Sequence, residues 1–172
     1  ELAQLDSSTA KGGDFTVTNN GERYAAALSF RTFDDDGFRQ NADQSNDDYR
    51  GFVQFMVSDV DSVQVNAIYG KRDTGDLPIR QYPQLISPER FETTQQNYAL
   101  GWHRKLSPQS DLAVSAIYNK TEQTGSSTLF PLSTTGTLSG PQLEAQYVRR
   151  QARSMWTVGA GAFDGSVQAE NQ

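Results

Sequence analysis

The chain has 172 residues, of which 35% are hydrophobic and 10% are aromatic, and its net charge is −6 at neutral pH. It contains no cysteine and one histidine, which excludes disulfides, thiolate metal sites and histidine-rich metal centres. The acidic balance, with a pI of about 4.7, argues against a nucleic-acid partner because phosphate binding needs a basic surface.

The mean hydropathy of −0.66 fits a β-barrel membrane protein better than a helical one. No stretch of the sequence approaches the roughly 18 consecutive apolar residues of a membrane helix. In a barrel wall, lipid-facing and lumen-facing residues alternate, so the average hydropathy stays low. Low hydropathy alone is also typical of disorder, but the aromatic content argues against that interpretation.

Segments of about ten residues with alternating polar and apolar side chains recur along the chain, which is the pattern of a β-strand with two different faces. In the first clear segment, Tyr24, Ala26 and Leu28 share one face. A weaker segment from Asp14 to Thr18 precedes a turn signal at 19–21. Besides this weak segment, the alternation predicts strands at 23–33, 49–57, 62–72, 96–105, 111–121, 141–150 and 154–164.

The predicted connections alternate between short and long. The short ones are 19–21, 58–61, 106–110 and 150–153, and the long, polar ones are 34–48, 73–94 and 122–140. Outer-membrane barrels have this asymmetry, with tight turns on one side and long loops on the other. We therefore predict a single all-β domain in the bacterial outer membrane. Its fold would be an antiparallel up-and-down meander of about seven or eight strands, forming all or part of a transmembrane β-barrel.

Aromatic residues cluster near the ends of the apolar faces, where barrels carry aromatic girdles at the membrane interfaces. The predicted lipid-interface aromatics are Tyr24, Tyr49, Tyr69, Tyr98, Trp102, Tyr118, Tyr147 and Trp156. The same side chains would form an inward-facing core in a soluble sandwich or lipocalin-like barrel.

If the apolar face meets lipid, the polar face must line the lumen. The predicted lumen-facing residues are Arg23, Arg31, Arg50, Arg72, His103, Lys105 and Glu144. Basic residues dominate this set, which indicates either a water-filled pore with a mild anion preference or charges that pair across strands or with a plug.

No arrangement of residues indicates a catalytic centre or a cofactor, so we expect the protein not to be an enzyme. Asp34 and Asp36 in an acidic loop are weak candidates for Ca²⁺ ligands, because carboxylates beside a glycine suit this ion. Their spacing departs from the helix-loop-helix calcium pattern. His103 has no serine motif near it and is interpreted as a polar wall residue.

Several loop and turn motifs resemble one known family. They are Asp36-Gly37-Phe38-Arg39 with Asn41, Asp43 and Asp47-Asp48-Tyr49; Gly51-Phe52-Val53-Gln54; Thr74-Gly75-Asp76-Leu77; Ser107-Pro108-Gln109-Ser110-Asp111-Leu112; and Gln142-Leu143-Glu144-Ala145-Gln146-Tyr147. Together they resemble the carboxy-terminal barrel region of large Gram-negative outer-membrane proteins whose amino-terminal parts carry tetratricopeptide repeats. The resemblance implies a barrel, an upstream repeat domain and a possible secretion partner, and it indicates fold more than activity.

These observations favour a porin-like or export-channel barrel with outer-membrane lipid as its principal partner. A small structural or adhesive barrel with ligand-binding outer loops and a soluble β-sandwich binding module are the alternatives. We also expect further strands after residue 172 and other domains before residue 1, because the predicted first and last strands would otherwise leave open edges in lipid.

Overall fold

The computed structural model describes residues 9–38, 41–75, 89–127 and 132–171. The nine strands are β1 (Ala10–Asn20), β2 (Tyr24–Asp35), β3 (Gln44–Met56), β4 (Asp61–Gly75), β5 (Glu89–Ser107), β6 (Ser110–Ser127), β7 (Leu132–Gln151), β8 (Ser154–Phe163) and β9 (Ser166–Asn171). Within these ranges the chain forms no helix of the length and apolarity that crossing a membrane would require.

All nine strands belong to one antiparallel sheet, in which β1 to β8 follow each other in chain order and β9 pairs with β7. This arrangement confirms the predicted all-β up-and-down meander. It follows from the short turns, because strands joined by a tight turn pair as a hairpin. A β-sandwich needs two stacked sheets, and the described strands make one, so the alternative of a soluble sandwich does not fit.

β8 and β9 lie one after the other along the same edge of β7 and act as a single interrupted strand. β8 pairs with Gln142–Gln151, and β9 pairs with Thr134–Ser139. Between them the Asp164 amide donates to the Pro141 carbonyl at 3.1 Å. A Cβ on Gly140 would lie 2.0 Å from the Asp164 carbonyl oxygen, so this close approach of the two strands requires glycine.

The described strands extend beyond their predicted bounds on the side of the long loops. β5 begins at Glu89 instead of 96, β6 ends at Ser127 instead of 121, and β7 begins at Leu132 instead of 141. The prediction of a long loop at 122–140 is therefore wrong over most of its length. Its residues are polar on both faces, so hydrophobic alternation could not reveal the strands, although threonine favours them. Of the predicted loop 73–94, residues 76–88 lie outside the described ranges.

The sheet has no hydrophobic core, since among the described residues no apolar side chain is buried. Leu28, Val65 and Leu100 expose 61%, 51% and 53% of their surface. Within the same residues β1 pairs with β2 alone, and the β8–β9 strand pairs with β7 alone. The described sheet therefore presents one exposed apolar face and two edges without a neighbouring strand.

We predict that Gly140→Ala lowers the free energy of unfolding by about 1–3 kcal/mol, because the added methyl group overlaps the Asp164 carbonyl. Urea titration of the protein folded in lipid vesicles measures this change. Gly13→Ala is the matched control, since a Cβ there meets no atom within 4 Å. Equal stability of the two variants would contradict the interpretation that the close approach of Asp164 requires a glycine at position 140.

Candidate functional site: the two faces of the sheet

The strand register places most apolar side chains of β1 to β8 on one face, called here the apolar face, with Phe52, Ile68 and Ile117 as exceptions on the other face. Val65 on β4 lies opposite Val53 on β3 and Leu100 on β5. Leu100 lies opposite Ala116 on β6, which lies opposite Leu143 on β7. Because side chains alternate along a strand, these register pairs make a continuous apolar surface across neighbouring strands.

All the predicted interface aromatics lie on this apolar face. Phe30, Tyr49 and Tyr69 form a row near the long loops, with ring centroids 4.9 Å and 6.1 Å apart. The row continues on the next two strands with Tyr98 opposite Tyr118, two residues closer to the short turns. Such a step is expected where a level belt crosses strands that are tilted from the barrel axis.

A second group of aromatics lies at the other end of the apolar face, near the short turns: Tyr24, Phe55, Trp102, Tyr147 and Trp156. Here the polar tips of two rings have partners. The indole Nε1 of Trp102 donates to Asp61 at 3.2 Å, and the Tyr24 hydroxyl donates to Asn19 at 2.8 Å. Rings with one apolar and one hydrogen-bonded end suit a membrane interface.

Charged residues replace apolar ones on the same face beyond each aromatic group. On the long-loop side Lys71 pairs with Glu92 at 3.0 Å, and Lys120 pairs with Glu122 at 3.0 Å. At the short turns Arg104 lies 3.8 Å from Asp61. The apolar face is therefore a band with a charged border at both ends.

The height of this band matches the apolar girdle of an outer-membrane barrel. On β4 the border residues Asp61 and Lys71 enclose Val63, Val65, Ala67 and Tyr69. At about 3.3 Å per residue the ten steps between the borders cover roughly 33 Å of strand. A tilt of about 40°, which is usual in membrane barrels, would reduce this to about 25 Å, the typical height of the girdle.

The opposite face, called here the polar face, carries six of the seven predicted lumen-facing residues: Arg31, Arg50, Arg72, His103, Lys105 and Glu144. Arg23 instead lies in the turn between β1 and β2, where it pairs with Asp59 of the next short turn at 3.3 Å. Arg23 is therefore placed at the end of the sheet and not on its wall.

The charges of the polar face differ in how they are partnered. His103 Nε2 lies 3.1 Å from Asp111, whose other carboxylate oxygen accepts a hydrogen bond from Arg150. Gln142 donates to Glu144 at 2.5 Å. In contrast, Arg31, Arg50 and Arg72 are not among the ion pairs formed within the described residues.

A cavity of about 220 Å³ opens on the polar face between β4 and β7. Its floor consists of small residues, among them Gly101, Ala113 and Ser115, and its sides include Gln64 and Glu144. The cavity is thus lined by hydrogen-bonding side chains around a floor with little bulk.

The acidic loop after β2 does not assemble a cation site from the described residues, among which no group of three or more His, Cys, Asp or Glu side chains is placed to hold a metal ion. Asp34 ends up within β2 opposite Ser45, and the Asp36 amide donates to the Thr9 carbonyl at 3.1 Å. The two residues remain weak calcium candidates.

This loop is instead attached to the sheet by an arginine that sequence reasoning missed. Arg90 of β5 reaches Asp43 at 2.7 Å and Asp73 of β4 at 2.6 Å. The Gly75 amide donates to the Asp43 carbonyl at 3.2 Å. The hydrogen bond from Arg90 holds the pKa of the Asp43 carboxyl below its usual value of 3.8. Since Asp43 and Arg90 are 47 residues apart, no local sequence signal could have found the pair.

One solved structure is similar in fold to this chain, the ferric citrate transporter FecA in its unliganded form. The match has a TM-score of 0.81, covers 99% of this chain and has 14% sequence identity. The chain spans 28% of the length of that transporter, which is an outer-membrane β-barrel protein. No protein-family model matches the chain, and no curated protein matches it in sequence. At this identity the likeness shows the fold alone, which is that of an outer-membrane barrel wall.

We predict that attachment of the loop depends on the ionised form of Asp43. Because its pKa is lowered in the folded protein, the stabilisation is complete above the ordinary value of 3.8 and is lost as the pH falls through the lowered value. Hydrogen exchange at the Gly75 amide, corrected for its intrinsic pH dependence, should therefore accelerate in acid.

Asp43→Asn should abolish this acceleration in acid, because exchange at the Gly75 amide should already be fast at neutral pH. Asp36→Asn is the control, because Asp36 lies in the same loop and forms none of the ion pairs found in the described residues. If exchange at the Gly75 amide still accelerated in acid in the Asp43→Asn protein, another titrating group would be responsible.

Proposed function

We propose that the chain forms part of the wall of a β-barrel in the bacterial outer membrane, through which polar solutes pass by a porin-like or export-channel route. The observation that carries this proposal is the apolar band, which is exposed, runs across neighbouring strands and is bordered by charge at both ends. A band of this kind needs an apolar solvent, and the lipid bilayer is the one a polar-lined barrel meets. The proposed role is non-enzymatic.

The barrel is proposed to close through strands that pair with the two free edges of the described sheet. An unpaired edge exposes backbone N–H and C=O groups, and in lipid each unsatisfied group costs several kcal/mol. The edges formed by β1 and by β8–β9 are therefore inferred to be hydrogen-bonded in the membrane. This inference agrees with the match to a part of a larger barrel protein.

The polar face supports a solute route. Its charges are spread over the wall, and small residues such as Gly101, Ala113 and Ser115 line part of the 220 Å³ cavity. The partner-bound groups His103, Asp111 and Arg150 lie toward the short turns, whereas Arg31, Arg50 and Arg72 are available to interact with a passing anion.

A second candidate function is adhesion through the outer loops. β6 continues about 23 Å beyond Lys120 as far as Ser127, by the usual rise per residue, and pairs there with both neighbours. These ordered polar hairpins offer a surface for an external partner on a barrel that conducts nothing.

We also propose kinship with the barrel region of tetratricopeptide-repeat outer-membrane proteins, with a repeat domain or a secretion partner acting beside the barrel. The support is the set of turn and loop motifs, of which Arg39, Asp76 and Leu77 lie outside the described residues. Sequencing the gene upstream of residue 1 tests this proposal. An upstream sequence without helical repeats would contradict it.

We predict that Val65→Arg lowers the stability of the protein in lipid vesicles by about 2–4 kcal/mol, the cost of a cation near the bilayer midplane. Asn66→Arg is the matched control, because the neighbouring residue lies on the polar face. Urea titration of both variants in vesicles gives the comparison. An equal, small effect would indicate that the apolar face does not meet lipid.

Conductance of the full-length protein in planar bilayers tests the solute route directly. We expect a steady ion current that scales with salt concentration, because a polar wall admits hydrated ions. If the protein is folded and inserted but carries no current, the adhesive alternative is favoured and the channel proposal fails.

A further inference from the structure

One side chain on the polar face lies along the wall instead of standing up from it. Gln64 on β4 is the register partner of Gly101 on β5. A Cβ built on Gly101 would lie 2.9 Å from Gln64 Cγ, 3.3 Å from its Cδ and 3.2 Å from its Nε2. Three atoms of the glutamine therefore cover the glycine, which is buried although it lies in an exposed sheet.

The same pairing recurs at three other places on the polar face. Gly159 and Gly161 on β8 lie opposite Gln146 and Glu144, whose Cγ atoms are 3.1 Å and 3.3 Å from the corresponding Cβ positions. Gly70 on β4 lies opposite Asp48, whose Oδ1 is 2.9 Å from the Cβ position. In each pair a polar side chain lies over the glycine that is its direct neighbour on the next strand.

Two glycines of the apolar face provide the contrast. Gly51 lies opposite Leu28 and Ala67, and Gly13 lies opposite Thr32, yet no atom comes within 4 Å of the Cβ position of either glycine. The covering of a glycine by its cross-strand partner is thus found at these four positions of the polar face and does not occur at every glycine there, since Gly136 opposite Gln123 has only a backbone oxygen within 4 Å.

Side chains of a strand normally stand roughly perpendicular to the sheet. On the inside of a barrel, long polar side chains in that direction would project into the lumen and narrow it. A neighbouring glycine leaves room for the side chain to lie flat. At the 220 Å³ cavity, Gln64 lies over Gly101 on β5 and Glu144 lies over Gly161 on β8, and small residues such as Ala113 and Ser115 line the cavity beside them.

We propose that the glycines at positions 70, 101, 159 and 161 determine the aperture of the lumen by holding Asp48, Gln64, Gln146 and Glu144 against the wall. This inference rests on the proposed solute route and names the residues that set its size limit. A methyl group at Gly101 would lift Gln64 from the wall into the path of the solute. The four polar side chains that lie over these glycines then set the largest solute that can pass, although they do not bind it.

The test compares Gly101→Ala with Gly51→Ala in the full-length protein. We expect Gly101→Ala to lower the single-channel conductance and to exclude polyethylene glycols that the wild-type channel admits. Gly51→Ala should leave both quantities unchanged. Adding Gln64→Ala to Gly101→Ala should restore the conductance and the polymer limit, because no side chain is left to be displaced.

The outcomes separate the aperture proposal from the solute route itself. A conducting protein in which the Gly101 and Gly51 variants behave alike, or in which Gln64→Ala gives no rescue, overturns the aperture proposal while the route stands. If no variant conducts, nuclear Overhauser contacts between the Gln64 Hγ and Gly101 Hα protons still decide the geometry. Their presence in wild type and loss in Gly101→Ala would support the flat side chain, and their absence in wild type would overturn it.

Discussion

The structure depends on one constraint, which is that the described strands enclose no hydrophobic core. A soluble domain gains most of its stability by burying apolar side chains away from water. Here most apolar side chains of the described strands lie together on one exposed face, and the opposite face is predominantly polar. Such a sheet is stable where the surroundings are apolar on one side and aqueous on the other. The proposed membrane location and the proposed lumen both follow from that single requirement.

The same requirement explains the borders of the band and the need for neighbours at its edges. Charged pairs such as Lys71–Glu92 lie at the ends of the apolar band, and aromatic rings such as Trp102, whose indole donates to Asp61, lie just inside those ends. Backbone groups in lipid have no water to bind, so the ladder between strands must satisfy them. The interrupted β8–β9 strand keeps one register along β7, and the hydrogen bond from the Asp164 amide to the Pro141 carbonyl bridges the interruption.

The features visible in the sequence are those that repeat along a strand. Alternation in 62–72 correctly predicted that Val63, Val65, Ala67 and Tyr69 share a face, and every predicted interface aromatic lies on that face. The ends of β6 and β7 were missed because Thr and Ser on both faces leave no hydrophobic period. Contacts between distant segments were also invisible, such as Arg90 with Asp43, and Gln64 over Gly101. They depend on register, which one sequence does not specify.

The central claim is that the apolar face contacts lipid, and the chain carries natural probes for it. Both of its tryptophans, Trp102 and Trp156, lie on that face near the short turns. The most direct measurement is their fluorescence in vesicles whose lipids carry bromine at different depths. The account predicts blue-shifted emission, stronger quenching by bromine near the interface than near the midplane, and little quenching by aqueous iodide. Tryptophan emission that is quenched by aqueous iodide and not by brominated lipid would contradict the claim that the apolar face contacts lipid.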